Sequence, residues 1–129
     1  QIPSDSSRLW SVELPPFQRA IDAGVDAVMI AHVNAPEYQP NAEDPATLSS
    51  FWMQDILRKR MGFKGVIITD AMRMGGIVKK YSSDYALIET VKAGSDIIIQ
   101  NMDLKKSIDT IENAVIDGII SENRINDSC

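Results

Sequence analysis

The chain has 129 residues, of which 44% are hydrophobic and 24% charged, and its formal net charge at pH 7 is −5. This composition is typical of a globular domain, whereas a nucleic-acid-binding protein would be expected to carry a basic patch. The apolar runs are shorter than the ~20 residues of a membrane span, so we expect neither a nucleic-acid nor a membrane partner. The single cysteine, Cys129, excludes an intramolecular disulfide and a cysteine-rich zinc site.

Helical periodicity, capping residues and closing glycines predict five helices. They are expected at residues 15–24, 48–62, 82–94 and 103–118, with a short last helix from Ser121. A serine cap is expected for the second helix and an Asp103 cap for the fourth, because short polar side chains accept hydrogen bonds from the first free amides. Gly24, Gly62 and Gly94 each follow a helix, and we expect left-handed conformations there.

Three short apolar runs, at residues 26–31, 65–69 and 96–100, predict the strands of a parallel sheet. The runs are continuously apolar, so both faces of the sheet are expected to be buried. The alternation of helices and strands predicts an α/β fold. A doubly wound sheet would need more than three strands, whereas a (β/α)₈ TIM barrel needs about 250 residues. The closing glycines lie 38 and 32 residues apart, which suits barrel units, so we predict that residues 1–129 form a single partial domain of about half a barrel.

Half a barrel would leave its interior uncovered. We expect the inner face to carry six side chains and their neighbours, namely Val28, Ile30, Val66, Ile68, Ile97 and Ile99. Exposed apolar surface of this kind is a liability. The expected cover is therefore a missing N-terminal half of the barrel or a second copy of the chain.

The stretch GVIITDAMRMGG, residues 65–76, ends an apolar strand on a lone carboxylate, Asp70. Ligands of parallel α/β folds meet the C-terminal ends of strands, which here are residues 31–32, 69–70 and 100–101. Asp70 can act as a nucleophile, a general base or a metal ligand, and the alternative is a helix cap or a loop-ordering aspartate. No metal is expected, because no second acid or histidine lies at ligand spacing from Asp70.

His32, the only histidine, ends the first strand and has no serine or cysteine partner in a recognisable hydrolase motif. It can line a pocket, contact substrate or hold residues 33–47 in place. The alternative is a structural histidine that only makes a hydrogen bond at the end of the strand. Met74 can form a pocket wall or pack under the loop with Met72. We predict substrate-binding roles for His32 and Met74, with the structural roles left open.

A resemblance to family 3 glycoside hydrolases is carried by three blocks: VELPPFQRAIDAGVDAVMIAHV, DPATLSSFWMQDILRKRMGFKGVIITDAMRMGGI and VKAGSDIIIQ. They are similar to the second half of that family's catalytic barrel, and most similar to its bacterial β-N-acetylglucosaminidases. Family 3 β-glucosidases tend to have an aromatic residue after the strand-ending aspartate, where this chain has Ala71. The resemblance implies the C-terminal half of a (β/α)₈ barrel, with strands six to eight.

The resemblance aligns Asp70 with the family's catalytic nucleophile. It implies a retaining hydrolase that releases terminal β-linked N-acetylglucosamine or another N-acetylhexosamine through a covalent glycosyl–aspartate intermediate, without metal or cofactor. In this branch the acid/base is a histidine in an upstream Lys-His-Phe-x-Gly-His-Gly stretch, which the sequence does not contain. We therefore expect the 129-residue chain to be a fragment that is inactive alone.

Two other functions stay open. One is a β-glucosidase-like hydrolase of the same family. The other is a non-catalytic α/β module that uses an open sheet edge for association. The resemblance implies a bacterial protein, expected in the cytoplasm, as in peptidoglycan recycling, with the periplasm or cell envelope as the alternative.

Overall fold

The structure is a computed structural model that describes residues 6–99 and 103–129. The order of its elements is α1 (Ser6–Arg8), a π-helical segment (Leu9–Glu13), α2 (Pro15–Asp22), β1 (Ala27–Ile30), a 3₁₀ turn (Ala46–Leu48), a π-helix (Phe51–Arg60), β2 (Val66–Thr69), α3 (Gly75–Val78), α4 (Ser83–Ala93), α5 (Leu104–Ile116) and α6 (Glu122–Asn126). Helices and strands alternate, so the α/β prediction is confirmed.

The sheet is parallel, as predicted. β1 pairs with β2 in a register that runs from Ala27 opposite Val66 to Ile30 opposite Thr69. A third extended segment adds to the other edge of β2 through one parallel bridge, between Ile68 and Ile97. The third predicted strand is thus reduced to a single bridge, and the end expected for it at residues 100–101 lies outside the described residues.

Four of the five predicted helices are confirmed as α2, α4, α5 and α6. Three begin at polar caps: the side chains of Ser82, Asp103 and Ser121 accept hydrogen bonds from amides three residues later. The closing glycines also behave as expected, with φ angles of 86°, 70° and 122° at Gly24, Gly62 and Gly94.

The prediction for the helix at residues 48–62 was wrong at its start and in its type. Ser49 has an extended backbone, with φ −109° and ψ 112°, so a helix cannot run through it. The helix begins at Phe51, and its N-cap Ser50 makes no capping hydrogen bond through its side chain. It is a π-helix, in which each amide donates to the carbonyl five residues earlier. The amide of Met61, for example, donates to the carbonyl of Ile56 at 2.9 Å.

The two faces of the sheet have different surroundings. Ile67 is fully buried among side chains of the π-helix Phe51–Arg60, with Val28 and Ile30 packed against the same cluster. On the opposite face Met29 is 54% exposed and Ile97 is 48% exposed. The prediction that both faces are buried is therefore wrong for the described residues.

The composition of the open face also corrects the sequence prediction. Since β1 and β2 pair Val28 with Ile67 and Ile30 with Thr69, Val28 and Ile30 lie on the helix-covered side. The β1 residues on the open face are instead Ala27 and Met29. They lie beside Val66, Ile68 and Ile97 of the neighbouring segments. A continuously apolar strand gives no sign of which residues face which way.

Asp96 joins the far end of the sheet to the C-terminal helix. Its Oδ2 accepts hydrogen bonds from Arg58 (2.8 Å) and from the amide of Ile67 (2.9 Å), and its Oδ1 accepts from Arg124 (3.0 Å) and Ser128 (2.6 Å). Burial alone would raise the pKa of Asp96, but these hydrogen bonds and the charge of Arg58 hold it below its usual value. The cluster fixes the start of the third segment, at the end of the sheet opposite Asp70.

Candidate active site

Asp70 follows β2 directly and is held by backbone hydrogen bonds on both sides of that strand. Its amide donates to the carbonyl of Ile30 at 2.9 Å, and the amide of the preceding Thr69 donates to the carbonyl of Ile97 at 3.0 Å. Thr69 is fully buried. The main chain that carries the carboxylate is therefore fixed between β1 and the third segment.

The two oxygens of the Asp70 carboxylate differ in their surroundings. Oδ1 accepts a hydrogen bond from the amide of Ala71 at 2.7 Å, whereas Oδ2 has no hydrogen-bond or ion-pair partner within the described part of the chain. The side chain is half-buried. The following helix α3 begins after Met74, so Asp70 is not its cap. The amide of Ala71 thus orients one oxygen of the carboxylate.

A tight turn follows Asp70. The amide of Met74 donates to the carbonyl of Ala71 at 3.0 Å, and the amide of Met72 donates to the carbonyl of Ile99 at 3.1 Å. Met72 is buried in a cluster with Leu48, Ile77 and Ala86, while Met74 is 48% exposed. The side chain of Met74 is therefore available for the substrate contact predicted for it, whereas Met72 packs under the loop.

Both ring nitrogens of His32 are engaged. Nε2 lies 2.9 Å from the carbonyl oxygen of Ala71, and Nδ1 lies 2.5 Å from Oγ1 of Thr47. Because a carbonyl only accepts, Nε2 donates, and in the neutral imidazole Nδ1 accepts from the Thr47 hydroxyl. A contact from His32 to substrate, which stays a prediction, would therefore use the carbon edge of its ring.

Thr47 is the site residue that sequence reasoning missed. It is fully buried in the turn Ala46–Leu48, and its carbonyl accepts a 2.7 Å hydrogen bond from the hydroxyl of Thr90. Its place in the PATLS block was visible in the sequence, but a threonine carries no chemical signal of its own. Only the fold brings its hydroxyl to the end of β1.

Residues 33–47, which lead from β1 into the 3₁₀ turn, are fixed by side chains from later in the chain. The indole of Trp52 donates to Gln39 at 2.7 Å, and the hydroxyl of Tyr81 donates to Asp44 at 3.2 Å. Burial, followed by the charge of Asp44, raises the pKa of Tyr81 to about 12. The loop beside the strand ends is therefore held in place by side-chain hydrogen bonds.

Within residues 6–99 and 103–129, no three His, Cys, Asp or Glu side chains come close enough together to hold a metal ion. The same ranges contain no helix with the length and apolar character needed to cross a membrane.

Comparison with known proteins identifies the family. The family described as "Glycosyl hydrolase family 3 N terminal domain" matches residues 1–129. The chain belongs to glycosyl hydrolase family 3. Among its relatives is a β-hexosaminidase of Chromobacterium violaceum, 39% identical over 101 residues, which are 76% of this chain and 28% of the relative. A β-N-acetylglucosaminidase/β-glucosidase of Cellulomonas fimi is 27% identical over 120 residues, which are 87% of this chain and 21% of the relative.

A solved structure agrees with the family assignment. The family 3 β-N-acetylglucosaminidase of Paenibacillus sp. FPU-7 superimposes with a TM-score of 0.90 and 40% sequence identity, over 98% of this chain and 24% of that one. The family and the parallel α/β fold predicted from the sequence are thus confirmed. The chain spans about a quarter of the length of the curated relatives it matches.

Proposed function

We propose that this chain is part of a retaining β-N-acetylhexosaminidase in which Asp70 is the nucleophile. The observation that carries the proposal is a difference between the two oxygens of the Asp70 carboxylate. Oδ1 accepts a hydrogen bond from the amide of Ala71, whereas Oδ2 is unengaged among the described residues. A nucleophile must be aimed at one face of the sugar, and a rigid strand end provides that orientation.

The proposed reaction has two steps. In the first, Oδ2 of Asp70 attacks the anomeric carbon of a terminal β-linked N-acetylhexosamine, and the glycosidic C–O bond breaks as an acid protonates the leaving oxygen. In the second, water attacks the glycosyl ester, its proton passes to the conjugate base, and Asp70 leaves as a carboxylate. Two displacements restore the β configuration. The acid/base is expected from a part of the enzyme other than this chain.

We further propose that the chain forms the C-terminal half of a (β/α)₈ barrel and that the other half covers its open sheet face. Two observations support this. The face carries exposed apolar side chains, including Met29 and Ile97, and the β-hexosaminidase of C. violaceum is aligned over 28% of its length. Closure would give Met29 and Ile97 the apolar surroundings that their exposed side chains lack here.

Hydrolysis of β-glucosides is the second candidate. The C. fimi relative is named for both activities, so the family accommodates either substrate. The N-acetylhexosaminide is favoured because the two relatives of highest identity described above are named a β-hexosaminidase and a β-N-acetylglucosaminidase.

The test uses the whole protein that carries this chain, assayed on aryl β-N-acetylglucosaminide and aryl β-glucoside in parallel. The proposal expects a higher kcat/KM on the N-acetylglucosaminide and, by proton NMR, the β anomer of the sugar as the first product. A higher kcat/KM on the glucoside would select the second candidate, and the α anomer as first product would exclude a covalent intermediate on Asp70.

A further inference from the structure

We propose that His32, itself held by Thr47, is a positioning residue that fixes the turn after Asp70 and thereby the direction of the Asp70 carboxylate. The inference rests on the proposed role of Asp70 as nucleophile. It assigns to His32 a role through the main chain of Ala71 rather than through contact with the sugar.

His32 meets the segment after Asp70 at two points. Its Nε2 donates to the carbonyl of Ala71 at 2.9 Å. Its Cβ lies 3.4 Å from the position that a side-chain carbon on Gly76 would occupy, so the backbone at Gly76 packs closely against it. One contact lies near each end of residues 71–76, and together they hold the turn against the end of β1.

The support behind His32 is buried. The hydroxyl of Thr47 lies 2.5 Å from Nδ1, and Thr47 is itself held by Thr90, whose hydroxyl bonds the hydroxyl of Ser95 at 2.8 Å. Thr47 and Thr90 are fully buried and Ser95 nearly so. The imidazole is therefore fixed to the protein core, and buried, fully paired polar networks of this kind are rigid.

The position of Ala71 links His32 to the carboxylate. The amide of Ala71 holds Oδ1 of Asp70 at 2.7 Å, and the carbonyl of the same residue is the acceptor for His32. Both groups flank one Cα, so a displacement of Ala71 that lengthens the contact with His32 also moves the amide that orients Asp70. A displacement of about 1 Å in a reacting group can cost about 10²-fold in rate.

The experiment measures how fast the whole protein forms the glycosyl–aspartate. The probe is a fluorinated N-acetylglucosaminyl fluoride that traps the covalent intermediate, with the labelled peptide identified by mass spectrometry. His32→Asn keeps a polar group near Nδ1 for Thr47 but cannot reach Ala71. His32→Gln places an amide donor near the former Nε2, within reach of the Ala71 carbonyl. Thermal unfolding of both variants reports on structure alone.

We expect His32→Asn to slow labelling of Asp70 by about 10²-fold, and His32→Gln to recover most of the lost rate at a similar Tm. Wild-type labelling rates in both variants, or equal losses in both, would overturn the positioning role. If His32→Asn does not fold, Thr47→Val makes the same test by releasing the imidazole from its support, and an unchanged rate there would also overturn it. Failure of the wild-type protein to be labelled at Asp70 would overturn the proposed function instead.

Discussion

The imidazole Nε2 of His32 lies 2.9 Å from the carbonyl oxygen of Ala71. This hydrogen bond joins the end of β1 to the turn after β2. These residues are 39 positions apart in the chain, and each follows a neighbouring parallel strand. Asp70 lies immediately before that turn. The one histidine of the sequence is thus tied to the segment that begins with the proposed nucleophile.

The support given by Thr47 can be tested by removing its hydroxyl without changing its shape. Thr47→Val in the whole protein should lower kcat by about 10-fold to 10²-fold, since the imidazole loses its Nδ1 partner and Ala71 its fixed donor. Thr47→Ser keeps the hydroxyl and should retain most of the activity. Steady-state kinetics on an aryl N-acetylglucosaminide measure both, and equal losses in the two variants would show that packing, not the hydroxyl, is what matters.

A close backbone approach at Gly65 predicts a strong steric effect on folding. A Cβ at Gly65 would lie 2.2 Å from the carbonyl oxygen of Asp26, which accepts the first β1–β2 hydrogen bond from Val66. Gly65→Ala should therefore lower the free energy of unfolding by about 3 kcal/mol. Gly75→Ala is the matched control, because its Cβ would meet only the flexible end of Lys79 at 3.4 Å. Equal stability of the two variants in urea melts would contradict the geometry.

The Asp96 cluster predicts acid sensitivity. Because the folded-state pKa of Asp96 is lowered, its ionised form stabilises the fold above the unfolded pKa of about 3.9. That stabilisation is lost as the pH falls from there through the lower folded pKa. Asp96→Asn leaves Arg58 and Arg124 without their carboxylate and should cost about 3 kcal/mol at pH 7.

The pH dependence separates this charge effect from packing. Between about pH 5 and pH 2 the wild-type protein should lose stability more steeply than Asp96→Asn, because the variant lacks the titrating group. Chemical denaturation at several pH values in that range measures the difference. Parallel curves for the two proteins would show that Asp96 contributes nothing through its charge.

The exposed sheet face predicts the behaviour of the isolated 129-residue chain. Met29, Val66 and Ile97 are exposed on one continuous apolar face, and such surfaces favour association. We expect self-association or marginal stability in light scattering and thermal melts. A cooperatively folding monomer would contradict the half-barrel proposal.

Much of this fold could be predicted from the sequence because its signals are local. Asp103 and Ser121 cap helices through amides three residues away, and Gly94 ends a helix with a positive φ. Asp70 could be singled out because a polar residue that ends an apolar strand lies where ligands bind parallel sheets. Each of these signals lies within a few residues of the feature it predicts.

The features that escaped prediction depend on distant contacts. Arg58 and Arg124 are 38 and 28 residues from Asp96, and no periodicity relates them. Thr47 reaches His32 only because the turn Ala46–Leu48 folds back over the end of β1. The side of the sheet on which Val28 lies depends on strand register, which a uniformly apolar run leaves unspecified.

The role of Asp70 is tested most directly by Asp70→Asn in the whole protein, with Asp26→Asn at the opposite end of the strands as the control. The amide is nearly isosteric, so the fold and the hydrogen bond from Ala71 should survive, but it cannot form a glycosyl ester. The measurement is kcat on an aryl N-acetylglucosaminide, with Tm as a check on folding. The account predicts a loss of about 10⁴-fold or more in Asp70→Asn and wild-type turnover in Asp26→Asn; near-normal turnover in Asp70→Asn would contradict it.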